Sequence, residues 1–233
     1  MKRESLSEET IRRKKEKIIL SASELFLKNG IDAVRMTDIA DISGAGVASL
    51  YRYFGTRTQI VIEAGTRIWQ DIQKQFDSAF SPGTYENKSG LEQVSAQFGF
   101  FLNIIHDHPD FVQFLDAFDR LMLTEKVSFG ALAAYERSVI NTEEFFLSAC
   151  RKGISDGSIR AGLDYRLLYL SAAHAITALA EKCARGPILS GDDVSLSETE
   201  PSVIKNMLLY YLQSADTTHG SGGFRDGTAK TPE

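Results

Sequence analysis

The stretch Met36–Phe54, MTDIADISGAGVASLYRYF, constrains the fold of this chain more than any other. Ala40 is followed four residues on by Gly44 and six further on by Leu50. A small side chain suits a close helix crossing, and a glycine suits a turn that needs a positive φ. Leu50 and, one turn later, Phe54 return apolar groups to a shared core, with Ile39 and Ile42 expected on its other side. The pattern is that of a helix-turn-helix, whose second helix enters the DNA major groove.

The run Leu50-Tyr51-Arg52-Tyr53-Phe54 with Arg57 after it, and Asp38-Ile39-Ala40 and Ser43-Gly44 ahead of it, sharpens this reading. With these residues the chain resembles the TetR family of bacterial transcriptional regulators, over about the first 65 residues. The resemblance implies an all-α protein: an N-terminal three-helix helix-turn-helix domain, then a larger C-terminal helical domain that binds a ligand and dimerises.

Two departures from the family pattern bear on DNA contact. Where the family has the Ser or Thr of a capping box, three residues before Asp38, this chain has Arg35. Its side chain cannot accept from the helix N–H groups, so the cap weakens, but a cation is left to meet phosphate. Thr37 is a second such contact. The recognition helix, expected from about Gly46, opens with Val47, Ala48 and Ser49, small where the family is more often polar or basic. Val47 and Ala48 suit thymine methyl groups, whereas bidentate reading of guanine needs Arg or Lys. Arg52 is the only long donor in this helix, either reading a base or binding phosphate. Tyr51 and Tyr53 are expected to fix position on phosphates, with a role as core aromatics the alternative. Arg57 completes the basic set.

The net charge of −5 divides unevenly: residues 1–60 hold 11 Lys or Arg against 8 Asp or Glu, and the remainder 15 against 23. A basic module on an acidic body would orient the molecule as it approaches DNA. No run of eighteen apolar residues occurs, and the N-terminus MKRESLSEETIRRKKEK has no apolar core, so neither a membrane span nor a secretory signal is expected. The two cysteines, Cys150 and Cys183, fit a reducing cytoplasm rather than a disulfide framework. His106-Asp107-His108-Pro109 invites a metal reading, but histidines at i and i+2 do not share a helix face. A helix end followed by a new helix is expected there. No phosphate-binding loop, nucleophile elbow or metal spacing is present, so no cofactor and no catalysis are expected.

Residues 1–10 read as a disordered lead and 11–57 as the DNA-binding domain, beginning with a helix to Asn29. The body, 58–214, reads as helices over 58–80, 91–105, 111–123, 129–152 and 165–185, the last capped by Asp164, then one from Pro201. Residues 215–233, rich in Thr, Gly and Ser, read as a disordered tail.

Nine of the fourteen phenylalanines lie between Phe76 and Phe129. Bulky aromatics between long helices leave room for an apolar cavity, and the resemblance implies an effector site there. Its expected wall is Trp69, Phe98, Phe101, Leu102, Phe114, Phe118, Phe146 and His174; for His174 a core or interface place is the alternative. The resemblance also implies a homodimer through the last two helices, with Ala172, Ile176, Leu179, Ile204, Met207, Leu208 and Tyr211 at the interface. The expected function is a repressor released from palindromic operator DNA by a small apolar or aromatic effector. The alternative is a ligand-independent DNA-binding regulator controlled by a protein partner.

Overall fold

The computed structural model describes residues 2–81, 83–140, 142–186 and 199–214. In chain order the helices are α1 (Lys2–Asn29), α2 (Met36–Ser43), α3 (Val47–Phe54), α4 (Arg57–Ala79) and α5 (Gly90–Asp107), then α6 (Pro109–Thr124), α7 (Phe129–Ser138), α8 (Thr142–Ser155), α9 (Tyr165–Arg185) and α10 (Glu200–Leu212). The chain is all-α, as expected. Two of its boundaries differ from the sequence reading. Residues 2–10 are the first turns of α1 rather than a disordered lead. The helix expected over 129–152 is two helices: the Ser138 hydroxyl donates to the Tyr135 carbonyl at 2.6 Å, competing with the helix ladder, and Ile140 then turns inward and is buried. The tail 215–233 and most of the expected loop 187–200 lie outside the described residues.

Caps explain most of the remaining boundaries. Asp164 accepts from Leu167 N–H at 2.9 Å at the start of α9, and Ser89 and Glu92 form a reciprocal box on α5. Pro109 opens α6, where its missing N–H costs nothing. α5 and α8 cross almost backbone to backbone, since a Cβ on Gly90 would lie 2.3 Å from Gly153 Cα. Any larger residue at Gly90 would force the two helices apart.

Apolar side chains gather in two clusters. The first joins Ile18, Ala22 and Phe26 of α1, Ile39 and Ala40 of α2, and Leu50 and Phe54 of α3 to Ile60, Val61, Ala64 and Ile68 of α4, and to Phe114 and Phe118 of α6. Packing is therefore continuous across residue 57, and α4 belongs to both halves of the chain. The second cluster joins Val94 and Phe98 of α5, Phe146 and Ala149 of α8, Ala172 and Ile176 of α9, and Leu208 and Leu212 of α10.

Candidate nucleic-acid interface and ligand cavity

α2 and α3 form the expected helix-turn-helix. Gly44 takes φ 69° and passes its N–H to the end of α2, a left-handed turn that few other residues adopt without strain. Ala40, Leu50 and Ile39 are buried at the crossing, whereas Ile42 is 60% exposed. Ser43, one residue on, takes the inward position and bonds the Ala40 carbonyl. At the start of α2, Arg35 supplies no side-chain acceptor, yet its own N–H donates to Asp38 Oδ2 at 2.7 Å. Half of the capping box therefore survives, and the Arg35 side chain is exposed.

α3 presents Ala48, Tyr51 and Arg52 to solvent, with Val47, Ser49 and Tyr53 half-buried. Tyr53 is shared between surface and core: its ring meets Phe54 edge-on, and Arg52 lies 5.0 Å over that ring and donates to its hydroxyl at 3.2 Å. Arg35 and Thr37, both exposed, stand at the start of α2. Arg57 has a different use. Its guanidinium donates to the Ile31 carbonyl and, at 3.3 Å, to the Val34 carbonyl, so it closes the α1–α2 loop onto the first turn of α4. Among the basic residues of α1, Arg13 pairs with Glu9 at 2.6 Å and Arg12 with Glu16 at 3.7 Å. Lys15 lies 5.1 Å over the Phe54 ring.

In the body, a cavity of about 220 Å³ lies between α4, α5, α6, α8 and α9. Its wall is mostly aromatic and aliphatic: Trp69, Phe98, Phe101, Ile104, Phe111, Val112, Phe146, Tyr169, Ile176 and Ala180. Trp69 and Phe111 meet edge to face at 5.2 Å. The polar lining is sparse, consisting of Gln97, Thr142, Thr177 and Glu181 besides the Tyr169 hydroxyl.

Residues 18–64 match the family model described as bacterial regulatory proteins, tetR family. This stretch is a TetR-family DNA-binding region. The chain is 29% identical, over 67% of its length and 72% of theirs, to an HTH-type transcriptional repressor, KstR2, of Mycolicibacterium smegmatis. Its fold matches the ketosteroid transcriptional regulator KstR2 of Mycobacterium tuberculosis at TM-score 0.56, with 17% identity over 86% of this chain and 95% of that one. A protein of Saccharomonospora viridis, described as a transcriptional regulator and solved in complex with choline, matches at TM-score 0.64 with 15% identity, over 86% and 97%.

Within this TetR-family fold, four residues named from sequence line the cavity: Trp69, Phe98, Phe101 and Phe146. Leu102 packs into the second cluster instead. Phe114 and Phe118 are each 1% exposed in the first cluster, with Phe118 stacked on Tyr135 at 4.3 Å. His174 sits on the outer side of α9, exposed to solvent. Sequence reasoning missed Gln97, Phe111, Tyr169 and Glu181; the two polar ones interrupt apolar helical stripes, which is the signal that was available. The expected dimer residues also divide. Ala172, Ile176 and Leu208 are buried within their own chain, and Ile176 lines the cavity. Leu179 and Ile204 are half-buried. Met207 and Tyr211 are 62% and 50% exposed, and Val203 and Tyr210 join them on the outer face of α10. Cys150 is fully buried, and burial pushes its thiol up to about 12, so it carries no thiolate at neutral pH. Among the described residues no helix is long and apolar enough to cross a membrane.

Proposed function

We propose that this chain is a homodimeric TetR-family repressor that leaves its operator when a small, mainly apolar effector fills the cavity. The observation that carries the reading is the double attachment of α4. Its C-terminal half supplies Trp69 to the cavity wall. Its N-terminal end packs on the recognition helix and, through Arg57, grips the carbonyls of the loop ahead of α2. A ligand that displaces Trp69 acts on the helix that positions the DNA-reading unit. Two-state coupling of this kind needs only that the effector bind one arrangement better than the other. The repressor sense is drawn from the name of the M. smegmatis relative.

The dimer reading rests on the outer faces of α9 and α10. Val203, Met207 and Tyr210 follow one another at helical spacing and are all exposed, beside Leu167, Ala175 and Ala178 of α9. An isologous pairing of these faces would present two copies of α3 to successive major grooves, about 34–36 Å apart. The test is operator binding by fluorescence anisotropy with and without candidate effectors, alongside Trp69 emission. Effector binding that changes Trp69 emission and leaves operator affinity unaltered would refute the coupling.

A further inference from the structure

Among the described residues lining the cavity none is cationic, and its neutral polar groups are Gln97 and the Thr142, Tyr169 and Thr177 hydroxyls. Gln97 is 4% exposed, and its Nε2 donates to the Tyr85 hydroxyl at 2.6 Å and to the Phe145 carbonyl at 3.2 Å. A carbonyl only accepts, so the amide nitrogen is fixed on that side and Oε1 keeps its accepting lone pairs. The Thr142 and Tyr169 hydroxyls are bonded to each other, which engages one of their two O–H donors. The one charged side chain among the described residues lining the cavity is Glu181 of α9, half-buried. No described residue pairs with its carboxylate; Arg185, one turn on, takes the Glu181 backbone carbonyl instead.

The neighbouring elements deepen this negative character. α6 packs on α9 and brings Asp119 near Glu181, so that desolvation first, and then repulsion between the two carboxylates, raise the Asp119 pKa. The cation of α6, Arg120, is engaged by Asp116 at 3.3 Å. The same cavity is lined by the rings of Trp69 and Phe111. An aromatic face attracts a cation, and a carboxylate offers the partner that a charge removed from water requires. An anionic effector would meet like charge at the same place.

We propose that the effector is an organic cation: a compact apolar body among the aromatic residues, with a protonated or quaternary nitrogen set against Glu181. This rests on the reading of the cavity as the effector site, and the two are separable by experiment.

Trp69 is the single tryptophan of the chain, so its emission reports occupancy of the cavity. The probes are 1-adamantylmethylamine, 1-adamantanemethanol and adamantane-1-carboxylate, matched in body and differing in head group. Titrated into the full chain, the amine should bind at least tenfold tighter than the alcohol, and the carboxylate more weakly than either. Release of operator DNA should follow the same order. Glu181→Gln should bring amine and alcohol to a common affinity. An amine no tighter than the alcohol, or a preference that survives in the Glu181→Gln protein, overturns the cation assignment and leaves the effector cavity standing. Absence of saturable binding by all three probes overturns both.

Discussion

The indole N–H of Trp69 donates to the Tyr135 hydroxyl at 3.0 Å, tying the cavity wall on α4 to α7. The other face of the relationship is the Tyr135 ring, stacked on Phe118 at 4.3 Å and 22°. Burial pushes the Tyr135 phenol up to about 12, so it stays neutral at working pH and remains an acceptor for the indole. One residue thus joins the cavity wall to the core shared with the DNA-binding module.

Tyr135→Phe keeps the stacking and removes the hydroxyl. The Trp69 N–H then loses its partner, at a cost of about 1 kcal/mol in unfolding free energy. Trp69 emission of the folded protein should shift, and effector affinity should change while operator binding without effector is retained. Denaturant unfolding followed by tryptophan fluorescence checks both. An unchanged emission spectrum would show that the hydrogen bond is not kept in solution.

Arg52 and Arg57 should separate cleanly, although both are arginines beside the recognition helix. Arg52 is exposed on α3, so Arg52→Ala should weaken operator binding and lower the salt slope by about one phosphate contact. Arg57 is engaged with the Ile31 and Val34 carbonyls. Arg57→Ala should leave the slope unchanged and lower thermal stability, since those carbonyls lose charge-assisted bonds worth roughly 1.5–3 kcal/mol each. Anisotropy titrations across a salt series, paired with thermal melts, discriminate the two.

The contrast between Arg57 and Arg52 shows where sequence stopped being informative. Ala40, Gly44 and Leu50 could be placed because crossing, turn and return are local requirements set by spacing alone. A basic residue after the recognition helix reads as a phosphate contact, and only the fold brings the Ile31 and Val34 carbonyls to it. Ile42 was expected inside because i+3 and i+4 positions both adjoin Ile39; Ser43 took the inward place. The cavity was half legible for a similar reason. Aromatic richness located it on α4, α5 and α8, but which side of α6 and α9 faces inward depends on their neighbours. Phe118 and His174 were therefore misplaced, and Ile176, a cavity residue, was assigned to a dimer contact.

Met207→Asp tests assembly without disturbing the core, because Met207 is 62% exposed on α10. If the outer faces of α9 and α10 pair, two charges would be buried against each other near the twofold axis, and dimers should dissociate at micromolar concentration. Sedimentation velocity should show monomers that retain helical circular dichroism and have lost operator affinity. Ile176→Asp is expected to unfold the chain instead, being 5% exposed. A fully dimeric Met207→Asp protein would place the interface elsewhere.

Asp119 should respond to pH in the direction opposite to a salt-bridged carboxylate. Partial desolvation first, then the charges of Glu181 and Asp116, hold its folded-state pKa above the usual carboxylate value. The folded protein therefore binds this proton more tightly than the unfolded chain does. Its contribution to stability is greatest below the unfolded pKa and is lost as pH rises through the folded pKa. Asp119→Asn should raise the melting temperature at neutral pH, with a gain that shrinks as pH falls toward 4. A loss of stability at neutral pH in the variant would show that the charged carboxylate is stabilising.

Phe118 and Phe101 make the sharpest comparison between core and cavity. Phe118 is 1% exposed, stacked on Tyr135 and in contact with Phe114. Phe118→Ala should cost about 3–5 kcal/mol and leave effector affinity nearly unchanged in whatever fraction stays folded. Phe101 lines the cavity and is only half-buried, so part of its ring already lacks packing partners. Phe101→Ala should cost less stability, enlarge the cavity, and shift the response toward bulkier effectors. Denaturant unfolding of both variants, with operator release measured against a size series of ligands, gives the two readouts. A Phe101→Ala protein as destabilised as Phe118→Ala, with the same ligand size preference as the parent, would move Phe101 from the cavity wall into the core.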